Sequence, residues 1–291
     1  MLVNVSEYIK EGFFNKEFDE NIVVLSDSEI NTKKDFIKFQ ISEPVGQILA
    51  LSKKYDFVFV VLDRLNYDNI FRLYKNLPSN VCVINLNSGY TGLWKKIIWA
   101  DMDDIYINPQ VKVKEVMDLE NLRFFINEFL ENPSLTHIRI PYKDMEEKIW
   151  NNEIDLDYKE IIDFAEFGIN GYNWAVFCYG SMLQESLNAV GLLQAEGLWV
   201  DLYWFGDYKT FSTDLIKKLD SQEKIFVVWD FDVLMFRDYL YSKFCEFGLE
   251  WKEIYFVCPE NLQQVVDEFQ AEKVLMDPVQ IYNRIREKLE D

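Results

Sequence analysis

Two hydrophobic periods alternate along this chain. Short runs rich in β-branched and aromatic residues, several with a two-residue period, predict strands at Asn21–Leu25, Ile37–Ile41, Phe57–Leu62, Val81–Asn85, Gln110–Val116 and His137–Ile140. Stretches with helical spacing fall between several of them, at Ser6–Phe18, Val45–Lys54, Asn66–Leu77 and Leu119–Glu131. Strand and helix in alternation predict a mostly parallel sheet covered on both faces. Pro141 closes this block, and the following stretch to Tyr172 is charged and less regular, as in a connection between domains carrying a short helix. A second block starts with a strand at Trp174–Tyr179, a Gly180-Ser181 turn, and a helix over Met182–Glu196 that Gly197 is placed to end. Strands at Trp199–Trp204, Lys224–Trp229 and Ile254–Cys258 then alternate with helices at Thr213–Leu219, Met235–Phe247 and Val279–Leu289. The expected fold class is therefore α/β in two domains, 1–142 and 173–291, joined by a linker at 143–172.

Composition narrows the function. With 49% apolar residues and 16% aromatic among 291, the chain can bury two substantial cores. A net charge of −20 argues against nucleic acid and against an anionic membrane surface, both of which are bound by clustered Lys and Arg. The first residues lack a basic region followed by an apolar run, and no apolar stretch is long enough to span a bilayer, so the expected location is cytoplasmic. Cys82, Cys178, Cys245 and Cys258 show no CxxC spacing; Cys82, Cys178 and Cys258 lie in or at the end of apolar runs and read as buried free thiols. One histidine, His137, leaves little scope for His-based chemistry, and no metal site is expected from this chain.

Four places carry candidate chemistry. In Phe36-Ile37-Lys38-Phe39-Gln40-Ile41-Ser42-Glu43-Pro44, an alternating strand gives way to a proline suited to the first position of a helix. That spacing sets the Glu43 carboxylate at the carboxyl end of a strand, where α/β sheets hold ligands. The same spacing equally serves a helix cap, favoured by the helix dipole. The Gly180-Ser181 turn lacks both GxGxxG and GxxxxGK[ST], which favours an ordinary tight turn over a phosphate cradle. Ser88-Gly89-Tyr90-Thr91-Gly92 is a glycine loop after a strand. Val227-Val228-Trp229-Asp230-Phe231-Asp232 imitates the first motif of haloacid-dehalogenase-type phosphatases, but Val233-Leu234 replaces the usual Gly-Thr and little chain follows, so a solvated strand end is the simpler reading.

The order of segments resembles the C-terminal two-thirds of transketolases and 1-deoxyxylulose-5-phosphate synthases, and the beta subunits of 2-oxo acid dehydrogenases. Asp19–Asp27 resembles the opening strand of their pyrimidine-binding domain, and Ile41-Ser42-Glu43 the "PISE" form of the segment with the catalytic glutamate. Tyr67-Asp68-Asn69-Ile70 is similar to "YDQI", Asn76-Leu77-Pro78 to "NLPV", Ile138-Arg139-Ile140-Pro141 to "IRLP", and Gly180–Leu187 to "GTMLPEAL". Each motif is weak alone; their shared order is fairly specific and spans nearly the whole chain. The resemblance implies a thiamine-diphosphate-fold pyrimidine domain followed by a transketolase C-terminal-like domain. It gives Glu43 a role: hydrogen-bonding a ring nitrogen of the cofactor's aminopyrimidine, which promotes deprotonation of the thiazolium carbon.

Departures from the family pattern are equally specific. The aromatic that stacks on the pyrimidine falls near Leu62, with Phe59 taking that place only in a shifted register. The loop after Gly89 runs Tyr90-Thr91-Gly92-Leu93-Trp94-Lys95-Lys96 without the family's histidine. No "GDG" segment for the diphosphate and Mg²⁺ precedes the first strand, so the resemblance implies a separate subunit carrying the diphosphate-binding domain. The expected assembly is a hetero-oligomer, a dimer of heterodimers, with a homodimer in isolation. Two functions follow: the pyrimidine-binding subunit of a split transketolase-like enzyme acting on a ketose, 2-oxo acid or sugar derivative, or a catalytically degenerate homologue with a structural or regulatory role.

Overall fold

A computed structural model describes residues 2–11, 13–16, 21–38, 44–62, 76–88, 110–141, 144–146, 165–166, 173–206, 213–229, 234–248, 253–258 and 276–290. The chain divides into two compact units, Met1–Glu153 and Ile154–Asp291.

The first unit comprises β1 (Leu2–Asn4), α1 (Val5–Lys10), α2 (Phe13–Lys16), β2 (Ile22–Ser26), β3 (Asp35–Lys38), α3 (Pro44–Leu51), β4 (Phe57–Leu62), β5 (Val81–Ser88), β6 (Lys112–Glu115), α4 (Leu119–Glu131), β7 (Thr136–Pro141) and β8 (Asp144–Glu146). Six strands form one sheet in the order β3-β2-β4-β5-β7-β6, every pair parallel. The internal strands β2 and β4 are apolar almost throughout and buried, as strands covered on both faces must be. The helix expected over Ser6–Phe18 is instead two short ones, with Glu11 and Gly12 between them in sequence; glycine is a poor helix former. Rings of Phe14 and Phe129 pack on Phe59 at 5.2 and 5.4 Å, which seats α2 and α4 on that face of the sheet. The right-handed rule for parallel crossovers puts α3 on the opposite face. Proline at the first position of α3 is where its missing N–H costs nothing. Much of the helix expected at Asn66–Leu77 lies outside the described residues.

The second unit comprises β9 (Ala165–Glu166), β10 (Trp174–Tyr179), a 3₁₀ turn (Gly180–Met182), α5 (Leu183–Ala195), β11 (Asp201–Phe205), α6 (Thr213–Asp220), β12 (Lys224–Val228), α7 (Leu234–Glu246), β13 (Glu253–Val257) and α8 (Pro278–Glu290). Its sheet runs β13-β12-β10-β11-β9, parallel except for β9. Gly197 ends α5 at φ 81°, its N–H bonded 2.8 Å to the Gln194 carbonyl, the left-handed stop a glycine adopts at no steric cost. The fold class is α/β, two mostly parallel sheets with helices.

Two parts of the 143–172 stretch join sheets. β8 pairs antiparallel with β1 in a small two-stranded sheet, and β9 extends the second unit's main sheet as its antiparallel edge.

Candidate functional site

In an open parallel sheet, ligands bind outside the carboxyl ends of the strands, at the point where the strand order reverses. In the first unit the chain leaves β2 for β3 on one side and returns to β4 on the other, so the reversal lies between β2 and β4. β2 ends in Ser26 and β4 in Leu62, both buried. The Ser26 hydroxyl accepts the Ser28 N–H at 3.1 Å and lies 3.3 Å from the Ser28 hydroxyl, which ties down the turn leaving β2.

A row of side chains crosses the sheet beside this point. Leu62 is registered with Asn85, Asn85 with Arg139, and Arg139 with Glu115. Residues so registered share a face, one strand spacing (about 4.8 Å) apart. Asn85 is fully buried, and Arg139 donates to Glu115 in an ion pair whose side chains are 1% and 2% exposed. Three residues beyond Glu115, Asp118 caps α4: its carboxylate accepts the Asn121 N–H at 2.7 Å while the Asn121 side-chain oxygen accepts the Met117 N–H at 3.2 Å. This reciprocal cap fixes the turn that follows β6.

Of the three residues proposed from sequence, Glu43 lies outside the described residues, between the end of β3 and the start of α3 in sequence. Leu62 stands at the carboxyl end of β4, next to the reversal. Phe59, three residues earlier, is on the opposite face, in the ring cluster with Phe14 and Phe129. The register thus puts Leu62, and not Phe59, at the carboxyl end of the strand. His137 sits inside β7, registered with Val83 and Val113 and 1% exposed. The Gly180 turn is a buried 3₁₀ entry into α5 whose carbonyl accepts the Trp204 indole N–H at 2.9 Å. Gly89–Gly92 and the Asp230 and Asp232 pair lie outside the described residues.

Ser26, Asn85, Arg139 and Glu115 were not singled out from sequence. Asn85 left a trace, as the polar interruption in Val-Cys-Val-Ile-Asn-Leu. Arg139 entered only as part of the "IRLP"-like segment and Glu115 left no trace, because Ile-Arg-Ile and Lys-Glu-Val read equally well as strands with one solvated face.

The chemistry of this end is specific. Leu62 is apolar, Asn85 carries a buried amide, and the charges of the buried Arg139 and Glu115 cancel. Among the described residues, this row carries no net charge. Among the described residues, no group of three or more His, Cys, Asp or Glu side chains is arranged to hold a metal ion, and no helix is long and apolar enough to cross a membrane.

Solved structures share this fold. A split-gene transketolase, solved as an inactive beta4 tetramer, superposes with a TM-score of 0.70 over 92% of this chain and 91% of its own, at 15% sequence identity. The fold is that of the transketolases. Transketolase from Campylobacter jejuni shares it with a TM-score of 0.68 over 92% of this chain, at 11% identity, but the match covers 44% of that longer chain. No protein-family model matches the sequence, and no curated protein is similar to it by sequence. The transketolase likeness is therefore one of fold, carried by backbone and topology. It agrees with the order of motifs in the sequence, which pointed to the C-terminal region of the same family.

Proposed function

We propose that this chain is the pyrimidine-binding subunit of a split, thiamine-diphosphate-dependent, transketolase-like enzyme acting on a ketose, a 2-oxo acid or a sugar derivative. The observation that carries the reading is the extent of the fold match: nearly all of a split-gene transketolase chain, and less than half of the longer C. jejuni one. In this reading the diphosphate and Mg²⁺ are held by a separate subunit, and the working assembly is a hetero-oligomer. The split-gene chain with this fold was solved as an inactive beta4 tetramer, which supports a chain that is inactive without its partner.

The residues at the carboxyl end of β4 fit the cofactor's aminopyrimidine, an uncharged ring with donor and acceptor edges. When bound, thiamine diphosphate would supply a carbon acid whose deprotonated form is the nucleophile toward a carbonyl. In this reading Glu43 shares a proton with a ring nitrogen. Leu62 packs against the ring, and Phe59 holds β4 in place through its contacts on the other face. These residues position the ring and move one proton.

The degenerate reading is favoured by the departures from the family pattern: Leu62 stands where the resemblance implies an aromatic, a leucine grips a ring less tightly, and the sequence after Gly89 lacks the family's histidine. The two separate by experiment. The protein is mixed with its diphosphate-domain subunit, thiamine diphosphate and Mg²⁺, and exchange of the thiazolium C2 proton is followed by NMR. Wild type is expected to exchange rapidly and Glu43→Gln to be slowed by about a hundredfold or more. Unaltered exchange in Glu43→Ala removes the catalytic role, and bound cofactor without exchange in wild type favours the degenerate homologue.

A further inference from the structure

Three unusual features meet beside Leu62. The first is Asn85, a buried amide whose neighbours in β5, Val81, Cys82, Val83, Ile84 and Leu86, are buried and apolar. The second is the buried Arg139–Glu115 pair next to it. The third lies immediately after Asn85, where the β5–β7 ladder shifts register. The three steps from Asn85 to Ser88 oppose the two from Arg139 to Pro141, so β5 carries one extra residue. Bulges are rare in parallel pairs and concentrate next to active sites, where they re-aim the strand end.

Stability alone selects none of the three. A buried amide is less favourable than a packed apolar side chain of its size. An ion pair buried this deeply gains in attraction roughly what its desolvation costs. A bulge interrupts its ladder. All three lie along one row that runs from β5 through β7 to β6, the three strands beyond β4 on that side of the reversal. Local rules broken together at one spot mark a constraint imposed by function.

We propose that Asn85 is a positioning residue for the ring seat at Leu62, braced by the Arg139–Glu115 pair. Being fully buried, Asn85 acts through its neighbours: it sets where the ends of β4 and of bulged β5 lie, and so the surface on which the ring rests. The paired charges brace it without adding net charge, which keeps the seat selective for a neutral ring. This inference rests on the proposed function.

The test uses the full chain and its near-isosteric variant Asn85→Leu, with Asn85→Ser as the conservative control. Thermal melting is measured on each chain. Affinity for thiamine diphosphate with Mg²⁺, and thiazolium C2 exchange, are measured in the complex with the diphosphate-domain subunit. Asn85→Leu is expected to melt at or above the wild-type temperature, to bind the cofactor with little loss, and to exchange about tenfold or more slowly. Asn85→Ser, which keeps a hydrogen-bonding group, is expected to recover part of the rate, and it stands in if Asn85→Leu does not fold. A fall in melting temperature with exchange unchanged, or with affinity and exchange falling in parallel, assigns Asn85 a structural role and overturns the inference. Failure of the wild-type complex to bind cofactor overturns the proposed function and this inference with it. Normal wild-type exchange with normal Asn85→Leu exchange overturns this inference alone.

Discussion

The two sheets share one topological device and fill it differently. In each, the chain leaves a starting strand to one side and returns on the other, opening a crevice at the carboxyl ends of β2 and β4 in the first unit and of β10 and β12 in the second. At the second crevice the rings of Tyr179 and Trp229 lie 5.6 Å apart. Phe205 adds contacts of 5.4 Å to Tyr179 and 3.7 Å to Phe177. A buried polar pair of this unit, the Gln222 amide donating to Asp201 at 3.2 Å, sits at the opposite, amino end of the strands. At the first crevice the pattern is reversed. Asn85, Arg139 and Glu115 are polar and buried at the carboxyl end, while Phe14, Phe59 and Phe129 cluster on the opposite face. Packed rings contribute to stability wherever they are placed; buried hydrogen-bonding groups cost stability and are retained where they do something else. Among the described residues, the first crevice is thus marked by buried polar groups and the second by packed rings.

The most severe way to break this comparison is to empty the second crevice. Phe205→Ala removes a fully buried ring from the middle of the cluster and is expected to destabilise the second unit by about 4 kcal/mol in urea denaturation. A change under about 1 kcal/mol would mean that the rings are not a packed core. Next is the first crevice's ion pair. Arg139→Met leaves the Glu115 carboxylate buried without its guanidinium and is expected to cost about 3 kcal/mol. The double variant Arg139→Met/Glu115→Leu is expected to return to within about 1 kcal/mol of wild type, since apolar replacements avoid the desolvation of both charges. A double variant as unstable as the single one would make the pair a source of stability and erase the contrast between the units.

The smallest effect sharpens the account of the second unit's periphery. Glu196, at the end of α5, accepts from the Tyr282 hydroxyl and, at 2.8 Å, from Arg286 of α8. The Tyr282 bond first and the Arg286 bond second hold its carboxyl below the ordinary glutamate range. A carboxyl whose folded pKa is lowered stabilises the fold above its unfolded pKa and loses that contribution as pH falls through the folded value. The melting-temperature difference between wild type and Glu196→Gln is therefore expected to be small but measurable at neutral pH and to vanish in acid, as scanning calorimetry across that range would register. A difference that persists in acid would detach the effect from the ionised carboxylate. Both side chains are substantially exposed, so salt is expected to weaken it as well.

Much of the fold was legible because its signals are local. The strands at Phe57–Leu62 and Trp174–Tyr179 and the helix at Leu119–Glu131 have the bounds expected from periodicity. Gly197 ends α5 as its position predicted. Two features were not legible. β1 and β8 are three residues each and exist only because they pair across more than a hundred positions, which no window of sequence reports. The Arg139–Glu115 pair was hidden by a symmetry of pattern: in an alternating strand, the polar face reads as solvent until neighbouring strands and helices cover it.

The sequence by itself determined the alternation of strand and helix, the division into two α/β blocks and the family likeness, because these depend on spacing and on short ordered motifs. It marked Glu43 and Leu62 by the same means. Tertiary structure alone decided that Leu62 and Phe59 lie on opposite faces, that Asn85, Arg139 and Glu115 form one row beside Leu62, and that, among the described residues, the buried ion pair stands in the first unit and the cluster of Tyr179, Phe205 and Trp229 rings in the second. Those facts follow from register and strand order, which bring together residues 23 to 54 positions apart, and from the burial that turns a polar side chain from a solvated surface group into a costly and informative choice.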